Sequence, residues 1–72
     1  MNAEPEWVED FLANLRRTAN SGRVNVRLCC QLTCTYPMLV YRFRRTPEGE
    51  RLRAEWDKAK EKARARRLLH SR

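Results

Sequence analysis

Cys29, Cys30, Cys34 and His70 are the residues whose chemistry first invites a site. A structural zinc takes four ligands, usually as two spaced pairs. Two adjacent cysteines and one distant histidine do not supply that set, so the thiols read as buried and free, with no metal and no cofactor. The only histidine lies near the end of the chain, which leaves no Ser–His–Asp or Cys–His arrangement for nucleophilic catalysis. Glu9 and Asp10 are adjacent, and neighbours on a helix do not face each other, so they make a poor acid–base pair. Gly22 and Gly49 stand alone, without the pattern of a phosphate-cradling loop. An enzyme is therefore not expected.

Charge is the stronger signal. Lys and Arg number 16 against 9 acids, a formal net of +7. Residues 1–40 balance to zero, while residues 41–72 hold 12 basic and 5 acidic groups. All the excess lies in the second half, and such a face attracts DNA, RNA or an acidic protein surface. Glu4, Glu6, Glu9 and Asp10 come before any base, which argues against the N-terminus lying on phosphates. Arg42, Arg44 and Arg45 are the best phosphate contacts by position.

These groups must be carried by a small scaffold. A chain of 72 residues and 8.6 kDa makes one domain with a small core. Two Gly and three Pro are too few for a turn-rich β-sandwich. The longest uncharged stretch, Leu28–Tyr41, is 14 residues with Pro37 inside, too short and broken to span a membrane. No basic segment precedes an apolar one at the start, so no secretory leader is expected. Three cysteines, two of them adjacent, suit a reduced cytoplasmic compartment better than a disulfide scaffold. The expected fold is all-α, a single domain over 1–72 with disordered ends at 1–4 and 70–72.

Four helices are predicted. The first runs from about Pro5 to Ala19, with Trp7, Val8, Phe11, Leu12 and Leu15 on one apolar face. Asn20-Ser21-Gly22 ends it. The second covers about Val26 to Thr33, capped by Asn25, with Val26, Cys29 and Cys30 inward. The third spans about Pro37 to Arg45, with Val40 and Phe43 inward. Thr46-Pro47-Glu48 opens the fourth as N-cap, first helical position and first-turn acid. Leu52, Trp56, Ala59 and Ala63 form its buried stripe, and Arg53, Lys60, Arg64 and Arg67 are assigned to the opposite side.

The second and third helices read as a helix-turn-helix. Cys30 is small enough for the tight crossing, Cys34 falls where a left-handed turn residue is needed, and Val40 and Phe43 fill core positions. Thr33 and Thr35 are weaker core residues. The runs Phe11-Leu12-Ala13, Val26-Arg27-Leu28-Cys29-Cys30, Val40 to Glu48 and Ala54-Glu55-Trp56-Asp57-Lys58-Ala59 resemble a family of small bacteriophage helix-turn-helix proteins. That family includes regulators and terminase small subunits. The resemblance covers about residues 10–67, and its most specific pieces are Tyr41–Arg45 and Ala54–Ala59.

The departures point elsewhere. Cys34 stands where glycine is usual, and its Cβ strains a left-handed turn. Tyr36 stands where serine usually caps. Pro37, Met38 and Leu39 occupy the positions that read bases, and they offer no side-chain hydrogen bond beyond the weak thioether of Met38. The expected contact patch for a partner protein, or for a second copy, is therefore Tyr36, Pro37, Met38 and Leu39. Tyr41, Arg42, Arg44, Arg45, Arg53, Lys60, Arg64 and Arg67 are the expected contacts to nucleic acid or an acidic surface.

Among small phage proteins the chain is similar to regulators that bind host RNA polymerase. That resemblance implies inhibited initiation and suppressed termination in the host cytoplasm, with docking near the RNA exit path, by a monomer or weak dimer. The alternative is a helix-turn-helix DNA binder, a phage repressor or terminase small subunit.

Overall fold

The computed structural model describes residues 4–70, and these fold as α1 (Trp7–Ala19), α2 (Val26–Leu32), α3 (Pro37–Arg44), a 3-10 turn (Pro47–Gly49) and α4 (Glu50–His70). The domain is all-α, as the apolar spacing requires. The expectation of disordered ends falls mostly outside the described residues. Glu4 is described, and its carboxylate accepts two hydrogen bonds from Arg51 at 2.9 and 3.0 Å.

The core draws on all four helices. Val8, Phe11, Leu12, Leu15 and Ala19 come from α1, Cys29 and Cys30 from α2, Val40 from α3, and Leu52, Trp56, Ala59 and Ala63 from α4. The main packing is α1 on α4, with α2 against α1. Trp7, Val24, Val26 and Phe43 close the rim, so Val26 lies at the edge of the core rather than inside it. Ring contacts lock α3 to the rest: Phe43 meets Trp7 (5.6 Å), Trp7 meets Phe11 (6.0 Å), Phe11 meets Trp56 (5.5 Å), and Trp56 meets Tyr41 (5.7 Å). Each such pair adds about 0.5–1.5 kcal/mol beyond burial. Because Tyr41 and Phe43 hold the C-terminal half of α3 from two sides, its outward face has a fixed direction.

Local chemistry explains the boundaries. Asn25 Oδ1 accepts from the Leu28 N–H at 3.0 Å, the expected N-cap of α2. Glu6 gives α1 no side-chain cap, and the helix begins at Trp7, two residues later than the proline position suggested. Thr46 does not cap α4. Its hydroxyl and its N–H both donate to the Phe43 carbonyl, so it finishes α3 instead. Pro47–Gly49 then form a tight turn before α4 begins at Glu50. Gly49 is obligatory there, because a Cβ would lie 2.3 Å from the Phe43 carbonyl oxygen.

The α2–α3 turn has helix-turn-helix character. Cys34 adopts φ +57°, the left-handed conformation its position demanded. The Thr35 N–H donates to the Cys30 carbonyl at 2.9 Å, and the Thr33 and Thr35 hydroxyls bond each other at 2.9 Å. These bonds satisfy the half-buried threonines that were poor core residues on paper. Cys34 itself is exposed, not buried, because a left-handed residue between two helices points outward. Cys29 and Cys30 are buried, and burial pushes the Cys29 thiol pKa up.

Candidate nucleic-acid interface

The outward face of α3 follows from its period. Met38, Tyr41, Arg42 and Arg45 fall at i, i+3, i+4 and i+7, one helical stripe, and together they line a shallow depression. Val40 points the other way, fully buried. The stripe is therefore apolar at its N-terminal end and cationic at its C-terminal end.

This depression continues into its neighbours. Tyr41 is shared with a second hollow, whose other walls are Val24, Val26, Arg44, Trp56 and Lys60. Val24 and Lys60 are shared with a third, lined also by Arg23, Ala63 and Arg67. The three form one furrow from Met38 to Arg67. A side branch opens at Arg44 and Arg45, with Thr46, Pro47 and Arg53. No Asp or Glu lines any of these hollows.

Three of the nine acids, Glu4, Glu9 and Glu55, are held in ion pairs outside the furrow. Arg51 is paired with Glu4 and Glu9, and Glu55 with Arg16 and Lys58. The Arg16 hydrogen bond and the Lys58 charge hold the Glu55 carboxyl below its ordinary range. The two carboxylates around Arg51 raise its pKa further. Among the described residues, Arg23, Arg42, Arg45, Lys60, Arg64 and Arg67 are exposed and form no ion pair. Unpaired, exposed cations therefore stand on both flanks of α4, Lys60, Arg64 and Arg67 on the furrow side and Lys62 and Arg66 on the side of Glu55.

The assignment of Arg53, Lys60, Arg64 and Arg67 to the side opposite the buried stripe needs correction. At about 100° per residue they fall roughly 60–120° round from Leu52, Trp56, Ala59 and Ala63. They flank the core and turn toward α3 and the α1–α2 loop, which is why Lys60 and Arg67 line the furrow.

Two of the expected contact residues have internal work. Arg53 Nη1 donates to the Thr46 carbonyl at 2.8 Å and also to the Arg44 carbonyl, closing the C-terminal end of α3. The Arg44 guanidinium lies 4.8 Å from the centre of the Trp56 ring, in cation–π contact. Its Nε is buried without a hydrogen-bond partner among the described residues. Both side chains are half-buried, and both border the furrow from within rather than projecting from it.

The expected patch at the head of α3 is largely open. Tyr36 is 60% and Met38 67% exposed, Pro37 is exposed, and Leu39 is half-buried. Tyr36 takes the N-cap position in extended backbone and makes no side-chain cap bond, as its residue type foretold. Leu28 and Leu32 of α2 are also exposed.

Arg23 and Val24 were not foreseen. They lie in a loop, where no periodicity points inward or outward. The one local signal is Gly22 at φ +94°, a turn that brings the chain back onto α4, within 3.2 Å of the Arg67 side chain measured from a notional Cβ. Among the described residues no three of His, Cys, Asp and Glu cluster as a metal site would. No helix of the described residues is long and apolar enough to cross a membrane. Comparison with family models, curated proteins and solved structures gives no match.

Proposed function

We propose that this chain is a helix-turn-helix protein that binds duplex DNA, with α3 in the major groove and the α4 flank along the phosphates. The observation that carries this reading is the acid-free furrow of unpaired cations continuous with the outward stripe of α3. An α-helix with side chains is about 10–12 Å across, which matches the major groove of B-DNA at about 12 Å. The deep, narrow major groove of A-form RNA does not admit it. Arg42 and Arg45 reach phosphates or guanine edges from the helix, while Lys60, Arg64 and Arg67 follow the backbone. The acidic edge, where Glu4 and Glu9 hold Arg51, faces away from the duplex. Selection from a random duplex library tests the reading. A preferred sequence is expected, with binding lost on Arg42→Ala and Arg45→Ala; uniform binding to every duplex contradicts it.

A second reading rests on a different observation. Leu28, Leu32, Tyr36 and Met38 are all exposed and apolar, a composition that suits a protein partner. On this reading the protein regulates transcription by docking on host RNA polymerase, with the furrow beside nucleic acid. Capture from nuclease-treated bacterial lysate separates the two. Stoichiometric polymerase lost on Met38→Asp supports the second reading, and polymerase held only without nuclease supports the first. Both place the protein in the cytoplasm of a bacterial host.

A further inference from the structure

We infer that the head of α3 reads thymine through its 5-methyl group, with Met38 as the specificity-determining residue; this rests on the duplex-DNA reading above. The N-terminal residues of a recognition helix are the ones that meet base edges. Here that turn is Pro37, Met38 and half-buried Leu39, after Tyr36 at the cap position. Pro and Leu side chains carry no donor or acceptor, and a thioether is a feeble acceptor. Pro37, Met38 and Leu39 cannot read guanine, adenine or cytosine by hydrogen bonds, and Tyr36 at the cap position precedes the helix. The thymine methyl is the one apolar feature that the major groove displays.

Charge fixes which surface the apolar head meets. Met38 shares its stripe with Arg42 and Arg45, and no acid borders the hollow they line. A partner that covers the stripe must be anionic along one part and apolar at the other. A phosphate backbone beside a thymine methyl meets both requirements. Met38 is 67% exposed, so its side chain is available and its loss leaves the core intact. Its flexible, polarizable chain adapts to a methyl group at a variable distance.

The test replaces thymine by deoxyuracil, which removes the methyl and leaves every hydrogen-bonding group. The probe is the duplex that the full chain selects from a random library. Each thymine is replaced in turn, and affinity is measured by fluorescence anisotropy. One or two positions are expected to lose roughly fourfold in affinity for each methyl removed. Met38→Ala is expected to bind the thymine and deoxyuracil duplexes equally. Equal binding of both duplexes by the unaltered chain overturns the inference while the duplex reading stands. A loss that persists in Met38→Ala overturns the role of Met38. No binding to any duplex, with a protein partner lost on Met38→Asp, overturns both.

Discussion

Replacing Cys34 by glycine should stabilise the protein. Cys34 sits at φ +57° between α2 and α3. A side chain with a Cβ costs about 1–2 kcal/mol in that region. Glycine relieves this strain but frees the unfolded chain, at a cost of about 0.5–1 kcal/mol. The difference is a gain of roughly 0.5–1 kcal/mol, which for a domain this small raises Tm by about 2–8 °C. The surroundings add little, because the side chain is exposed and the Cys34 N–H keeps its bond to the Gln31 carbonyl (3.3 Å). Thermal unfolding followed by circular dichroism measures the shift. Cys34→Ala is the control, since it removes the thiol and keeps the Cβ; it should melt near the parent. Cys34→Asn should fall between Ala and Gly, because asparagine tolerates the left-handed region. A glycine variant that melts no higher than Cys34→Ala refutes the reasoning.

Other consequences follow from the same geometry. Gly49→Ala puts a Cβ 2.3 Å from the Phe43 carbonyl oxygen, so it should cost at least about 1–3 kcal/mol and lower the urea midpoint sharply. Iodoacetamide should label Cys34 in the native state at neutral pH, and Cys29 and Cys30 only on unfolding, as mass spectrometry after a timed quench would read. Glu55 has a lowered pKa in the fold, so its contribution is present above the unfolded value of about 4.3 and is lost as pH falls through the folded one. Glu55→Gln should therefore be the less stable form at pH 7 and match the parent near pH 2, in parallel urea titrations.

The elements were legible because their signals are local. The stripe of Leu52, Trp56, Ala59 and Ala63 predicts a buried face from spacing alone, and all four are buried. Asn25 caps α2 as its type implies, and Cys34 takes the left-handed conformation that its position demands. Two of the misreadings are groups that find a backbone carbonyl their residue type does not announce. Thr46 is a sound N-cap by type, yet the Phe43 carbonyl behind it takes its hydroxyl. Arg53 is one more cation in a basic run until α3 ends beside it and offers two carbonyls. Cys34 was grouped with buried thiols because composition cannot tell a turn residue from a core one. The furrow is missed for a different reason, contact between segments far apart in sequence. It exists only where α3, the loop at Arg23–Val24 and α4 converge, and no single segment announces it.

The salt dependence of duplex binding tests the central claim most directly. Arg23, Arg42, Arg45, Lys60, Arg64 and Arg67 are the free cations of the furrow and the adjoining flank of α4. If all meet phosphates, log K should fall with log[salt] at a slope of about −5, roughly a thousandfold between 50 and 200 mM salt. Removing Arg42, Lys60 or Arg67 singly should reduce the slope by about one each, whereas Lys62→Ala, an exposed cation off the furrow, should leave it unchanged. A slope that responds equally to Lys62 and to the furrow residues, or to neither, would contradict the account.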